Sequence, residues 1–201
     1  RQKKNSEILK NATALRNQIT GEDFAFPKFK TNTDVMRIET GEELQDALET
    51  AYSQCGIYNT TVICRSNKRA NLYNQQIRTK IRWQEESVST GDILMVVRNN
   101  YFWMEKETDF IANGDNIEVI KILEYIKCYG FHFAKANIKL LDTNNNINLE
   151  VILLLDTLSS NNASLTNKEY HKLYDEVCLD YKGMKDIKQK VKKNPFFNAL
   201  Y

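Results

Sequence analysis

Apolar positions along the chain change period near residue 86, from helical spacing to alternation. Upstream, Ile8, Ala12, Leu15 and Ile19 recur every three to four positions, which predicts an amphipathic helix over residues 6–20. Gly21 and Pro27 mark a loop, and residues 35–38 read as a short strand. Thr40 and Glu43 have the spacing of a capping box, in which hydroxyl and carboxylate each satisfy a backbone amide of the first turn. Leu44, Ala47, Leu48, Ala51 and Tyr52 then stripe a helix that Gly56 ends. The apolar run at 61–64 reads as a strand, followed by a helix over about 67–83. Helix, strand, helix, strand, helix is the order of an α/β layer on a parallel sheet.

Downstream the runs are β-rich and separated by turn signals. Asn113 and Gly114 predict a tight turn, because both residue types accept positive φ cheaply. Ala134, Ala136, Ile138 and Leu140 alternate with polar residues, as do Ile147, Leu149, Val151, Leu153 and Leu155 after the polar stretch 142–148. Four or five short strands within about 75 residues predict a small antiparallel barrel. Thr166 reads as the cap of a helix to about 182, striped by Tyr170, Leu173, Tyr174 and Val177. A lysine-rich helix over 184–193 stops before Asn194-Pro195. The expected fold class is therefore α/β: a partial parallel-sheet layer (1–86), an inserted antiparallel barrel (87–165) and C-terminal helices (166–201).

Composition narrows the class. At 201 residues, 42% hydrophobic and 27% charged, the chain is an ordinary globular one with enough apolar content for a core. No apolar run approaches the roughly 18–20 residues of a membrane span and no signal peptide is read, so a cytoplasmic, membrane-free protein is expected. Cys55, Cys64, Cys128 and Cys178 show no CxxC spacing, and His132 and His171 stand alone. Neither a disulfide framework nor a metal site is expected. The sequence begins at Arg1 without methionine, which reads as a piece of a longer protein.

Charge is distributed unevenly around a net +2. Residues 61–83 carry Arg65, Lys68, Arg69, Arg78, Lys80 and Arg82 with no acid, and residues 1–20 carry five cations against Glu7. Basic clusters on an otherwise acidic chain point to a polyanion, against the alternative of a solvated helix face. Ser66 can cap the helix that follows residue 64. Lys68 and Arg69 in the first turn oppose the helix dipole, which suits a nearby anion such as a phosphate backbone. Ser66, Asn67, Lys68 and Arg69 are the expected carriers of such a grip, and Asn71, Asn74, Gln75 and Gln76 add donors for sugar or base edges. By helical arithmetic Lys68 and Arg78 lie about 80° apart and Arg69 faces the other way, so Lys68 and Arg78 are the expected pair on one DNA-facing side. In the run Tyr101-Phe102-Trp103, neighbouring side chains point to opposite faces. Either Phe102 is buried with Tyr101 and Trp103 exposed, or the reverse. An exposed pair beside Arg98, Asn99 and Asn100 could stack bases.

The segment "ICRSNKRANLYNQQIR", together with "GDILMVVRNNYFW" and "FIANGD", resembles the second motor domain of RecD-like superfamily 1 DNA helicases. In that family the last two segments belong to a Src-homology-3-like barrel inserted into this RecA-like domain. Arg1-Gln2 resembles the arginine-glutamine pair of a helicase motif. The resemblance implies an ATP-dependent helicase that translocates 5′ to 3′ on single-stranded DNA, with Arg1 as a catalytic charge near the γ-phosphate and Gln2 beside it at the nucleotide. It makes the remaining helicase domains the partners. No GxxxxGK[ST] loop and no acidic magnesium motif occurs in the sequence. ATP and magnesium are accordingly expected for the whole protein and neither for this piece, which is expected to be inactive alone. A stand-alone nucleic-acid-binding module and a protein-interaction scaffold are the competing classes.

Overall fold

The computed structural model describes residues 6–22, 25–104, 109–142, 147–160, 162 and 164–201. The chain forms two compact units, Arg1–Thr61 and Val62–Tyr201, so the basic helix belongs with the β-rich part and the division falls upstream of residue 86.

In the first unit, α1 (Glu7–Thr20) starts at Ser6, whose Oγ accepts from the Leu9 amide and donates to Asp34 at 2.6 Å. That hydrogen bond holds the Asp34 carboxyl below its ordinary range. Asn11 pairs twice with the backbone of Lys30, at 2.9 Å each. The buried side chains of α1 are Glu7 and Asn11, not the apolar stripe, and Ile19 is 71% exposed. The stripe at 8, 12, 15 and 19 is real but uncovered, because the loop is fixed to the helix by polar pairing. The α2 helix (Gly41–Cys55) has the expected capping box at Thr40 and Glu43, and Gly56 ends it at φ 75°.

The parallel layer does not appear among the described residues. Residues 35–38 make only the isolated bridge Asn32–Val35, and 61–64 are in no strand, with Ile63 93% exposed. Alternation marks a segment able to pair, but a strand exists only where a neighbour supplies the ladder.

The second unit opens with α3 (Asn67–Gln76), continued as one π-turn over Ile77–Ile81. Strands β1 (Ile93–Met95), β2 (Asn116–Cys128), β3 (Phe131–Leu140) and β4 (Asn148–Leu154) form an antiparallel half-barrel sheet in sequence order. Two irregularities of register in β2, at Val119/Lys121 and Ile122/Glu124, bend the sheet. The turn at 113–115 forms as expected, with Gly114 at φ 101°. The β2–β3 turn is Tyr129-Gly130, with φ of 53° and 73°. Two positive-φ residues match the right-handed strand twist, although tyrosine is a strained choice for the first.

The expected alternation of β3 and β4 is what builds the core. Ala134, Ala136, Ile138, Leu140, Val151 and Leu153 share one cluster with Ile117 and Val119 of β2. On the opposite face, Phe131, Phe133, Ile152 and Leu154 pack on α4 (Asn167–Asp180) and α5 (Ile187–Lys192) through Leu173, Val177 and Val191. Each such side chain contributes about 1.5–3 kcal/mol when fully buried. Thr166 and Glu169 form the capping box of α4. The end of the chain departs from the expected helical return. Leu200 exchanges backbone hydrogen bonds with Ile152 and Leu154 of β4, at 2.8 and 2.9 Å, and the Val97 amide donates to the Tyr201 carbonyl at 2.9 Å. These last residues therefore bridge β4 to the continuation of β1.

Candidate nucleic-acid interface

The turn before α3 is built as its sequence suggests. Ser66 is extended, at φ −152° and ψ 148°, and its Oγ accepts from the Arg69 amide at 3.4 Å. Extended backbone at the cap aims the amides of the first turn outward, where a hydroxyl meets one of them. Arg65, Asn67, Lys68, Arg69 and Asn74 are all exposed, and the first turn holds no acid.

Arg78 departs from the expected pairing with Lys68. Its guanidinium turns inward onto Asp92, with Nη2 3.0 Å from Oδ2. Arg82 reaches the same carboxylate at 2.9 Å, and the Ser89 amide donates to it at 2.8 Å. Arg78 also donates to the Ser87 carbonyl, and Arg82 to the Gly91 carbonyl. The two arginines thus clamp the loop 84–92 onto the π-turn. Helical arithmetic assumes an unbroken α-helix to Arg78, where the structure has a π-turn, and it carries no information about an acid in a loop that folds back on it.

A second basic surface is a groove of about 650 Å³ at the junction of β1's continuation, α4, α5 and the end of the chain. Among its described lining residues are Arg98, Asn99, Tyr101, Lys192 and no acidic side chain. Arg98 donates to the Tyr201 hydroxyl at 2.8 Å and lies 4.9 Å over the Tyr170 ring. The Tyr201 hydrogen bond, followed by a smaller opposing effect of burial, raises its pKa. The charge is therefore fixed in place on an aromatic floor. At the rim, Tyr101 is 64% exposed and stacks on Phe110, with ring centroids 5.0 Å apart at 28°.

The aromatic run resolves in neither of the two expected ways. Tyr101 is exposed, whereas Phe102 and Trp103 are both half-buried and meet edge to face. The Trp103 indole donates to the Asn198 carbonyl at 2.8 Å and packs on both cores, which commits it to the fold. Asn100 is committed as well, donating to the Asn198 carbonyl and accepting from the Phe102 amide. Asn99 accepts from the Asn113 amide at 2.8 Å and stays exposed. Arg98 is signalled in the sequence by its adjacency to the aromatic run. Phe110 and Lys192 carry no local signal, since only the tertiary fold brings them to the groove.

Arg1 and Gln2, the residues the resemblance assigns to the nucleotide, lie outside the described residues. Among the described residues no cluster of His, Cys, Asp or Glu is arranged to hold a metal ion, and no helix is long and apolar enough to cross a membrane. The chain matches no protein-family model and no curated protein.

Proposed function

We propose that this chain is part of an ATP-dependent, RecD-like superfamily 1 DNA helicase, and that Val62–Tyr201 supplies single-strand binding surface. The helicase class, 5′-to-3′ translocation and the use of ATP and magnesium elsewhere in the protein rest on the sequence resemblance alone. The single observation that carries strand binding is the groove. It combines fixed cationic charge, no acid among its described lining residues and an exposed stacked aromatic pair at its rim. Cations meet phosphates without reading sequence, and aromatic faces accept any base. The exposed turn at Arg65, Asn67, Lys68 and Arg69 adds charge on the same unit.

The chemistry assigned to the chain is binding only. Arg98 and Lys192 would neutralise backbone phosphate, Tyr101 would stack a base, and Asn99 would offer a polar edge. A stand-alone binding module is the second reading, favoured by one observation: Val62–Tyr201 completes its own cores.

The test is a salt titration of fluorescent single-stranded oligonucleotide binding, read by anisotropy. Lys192→Ala removes one phosphate-neutralising charge and should lower the salt slope by about 0.7. Absence of salt-dependent binding by the wild-type chain would remove the strand-binding reading.

A further inference from the structure

Trp83 lies two residues past the π-turn in a conformation that tryptophan rarely takes, at φ 54°. It is also 85% exposed. The fold spends backbone strain here to hold an indole out of the core. A strained, outward aromatic is an observation from which function can be argued.

Its surroundings say what it would meet. From Lys68 the exposed positions Leu72 and Gln76 continue at four-residue spacing on one face of α3, and Thr79 and Lys80 are exposed on the π-turn that continues it toward Trp83. That face runs for roughly 20 Å. Ile77, Arg78 and Arg82 turn the other way, and both arginines are neutralised by Asp92. The face holds Lys68 and Lys80 and no acid. The next acids, Glu85 and Glu86, come only after the positive-φ turn has redirected the chain. Cations on one helical face, a glutamine donor between them and a bare aromatic at the end are the parts of a single-strand track. An apolar protein partner would find little on this face beyond Leu72 and Trp83.

We infer that the exposed face of α3 and the π-turn is a second single-stranded nucleic-acid track, separate from the groove, on which Trp83 stacks a base and Lys68 and Lys80 meet phosphates. This rests on the strand-binding reading above and names a residue and surface that the groove does not include.

The chain has two tryptophans, and Trp103 is half-buried and tied to the Asn198 carbonyl. Subtracting the emission of Trp83→Phe from that of the wild type therefore isolates Trp83 without disturbing Trp103. Unlabelled oligo-dT is titrated while this difference emission is recorded, and labelled oligo-dT anisotropy is measured in parallel. The difference emission should be quenched as the strand binds, and Trp83→Ala should weaken binding by roughly tenfold while Trp83→Phe retains most of it. A rise in anisotropy with the Trp83 emission unmoved would overturn the track and leave the indole to a protein partner, with the groove reading intact. No rise in anisotropy at all would overturn both.

Discussion

Arg78 and Asp92 lie 14 positions apart and meet through two contacts, Nη2 to Oδ2 at 3.0 Å and Nε to Oδ1 at 3.3 Å. Asp92 is 4% exposed, and Arg82 shares its carboxylate at 2.9 Å. One buried anion thus serves two half-buried cations, whose remaining donors go to loop carbonyls. The arrangement ties the start of the second unit to the sheet, since the Val119 amide donates to the Asp92 carbonyl at 2.9 Å.

The asymmetry of that cluster fixes an order of severity. Asp92→Ala leaves two guanidiniums facing each other without an anion, and breaking a buried pair in this way costs about 3–5 kcal/mol. Arg78→Ala should cost less, about 1–3 kcal/mol, because Arg82 still neutralises the carboxylate. Urea midpoints of the two variants measure the difference, and equal losses would contradict it. Arg78→Ala should also leave the salt slope of oligonucleotide binding unchanged, in contrast to Lys192→Ala.

Tyr101 and Trp103 are two residues apart and should behave oppositely. Tyr101 is exposed and stacks on Phe110 at the rim. Tyr101→Ala should weaken single-strand binding by about 1–3 kcal/mol and change stability by no more than about 0.5 kcal/mol. Trp103 joins both cores and donates to Asn198. Trp103→Ala should cost about 3–5 kcal/mol of stability. Anisotropy and urea unfolding on the same samples separate the two effects.

What was legible in the sequence was what is decided locally. Thr40 and Thr166 cap their helices because hydroxyl, carboxylate and amides all lie within four residues. Ala134, Ala136, Ile138 and Leu140 face one core with Val151, Leu153 and Leu155 because alternation is a property of the strand itself. The missing parts depend on distant partners. Residues 61–64 have strand composition but no neighbouring strand among the described residues, and Leu200 becomes a sheet bridge only because β4 and Val97 flank it. The direction of Arg78 was hidden for the same reason, and no period announces the π-turn or the positive φ of Trp83 after it.

The α4 cap gives a local stability test. Thr166 Oγ1 accepts from the Glu169 amide at 3.3 Å, and the Glu169 carboxylate accepts from the Thr166 hydroxyl at 2.7 Å and amide at 2.8 Å. Those hydrogen bonds hold the Glu169 pKa below its ordinary value. The carboxylate's contribution is therefore present above the unfolded pKa and is lost as pH falls through the folded one. Thr166→Ala should cost about 1 kcal/mol near neutrality. Its deficit against the wild type should shrink in acid, which paired unfolding curves would show.

Tyr129 governs the alkaline side. It sits at the β2–β3 turn, its hydroxyl donating to Asp180, and burial followed by that hydrogen bond pushes its pKa up from 10.0 to about 12. Burial followed by the Asp180 charge pushes the neighbouring Cys128 thiol from 9.0 to about 11. Both groups are neutral in the folded chain and ionise at lower pH once unfolded, so unfolding releases protons in this range. The contribution of these two groups should be flat from neutrality to about pH 9, fall as pH rises past it, and steepen between 10 and about 12 as Tyr129 joins. Tyr125 and Tyr174 shift in the same direction and add to the fall. Tyr129→Phe has no proton to release at this position. It should lose about 1 kcal/mol at neutral pH with its hydrogen bond and then decline less steeply than the wild type above pH 10. Urea midpoints against pH for the two proteins decide it: superimposable slopes between 10 and 12 would mean that ionisation of Tyr129 does not control alkaline unfolding.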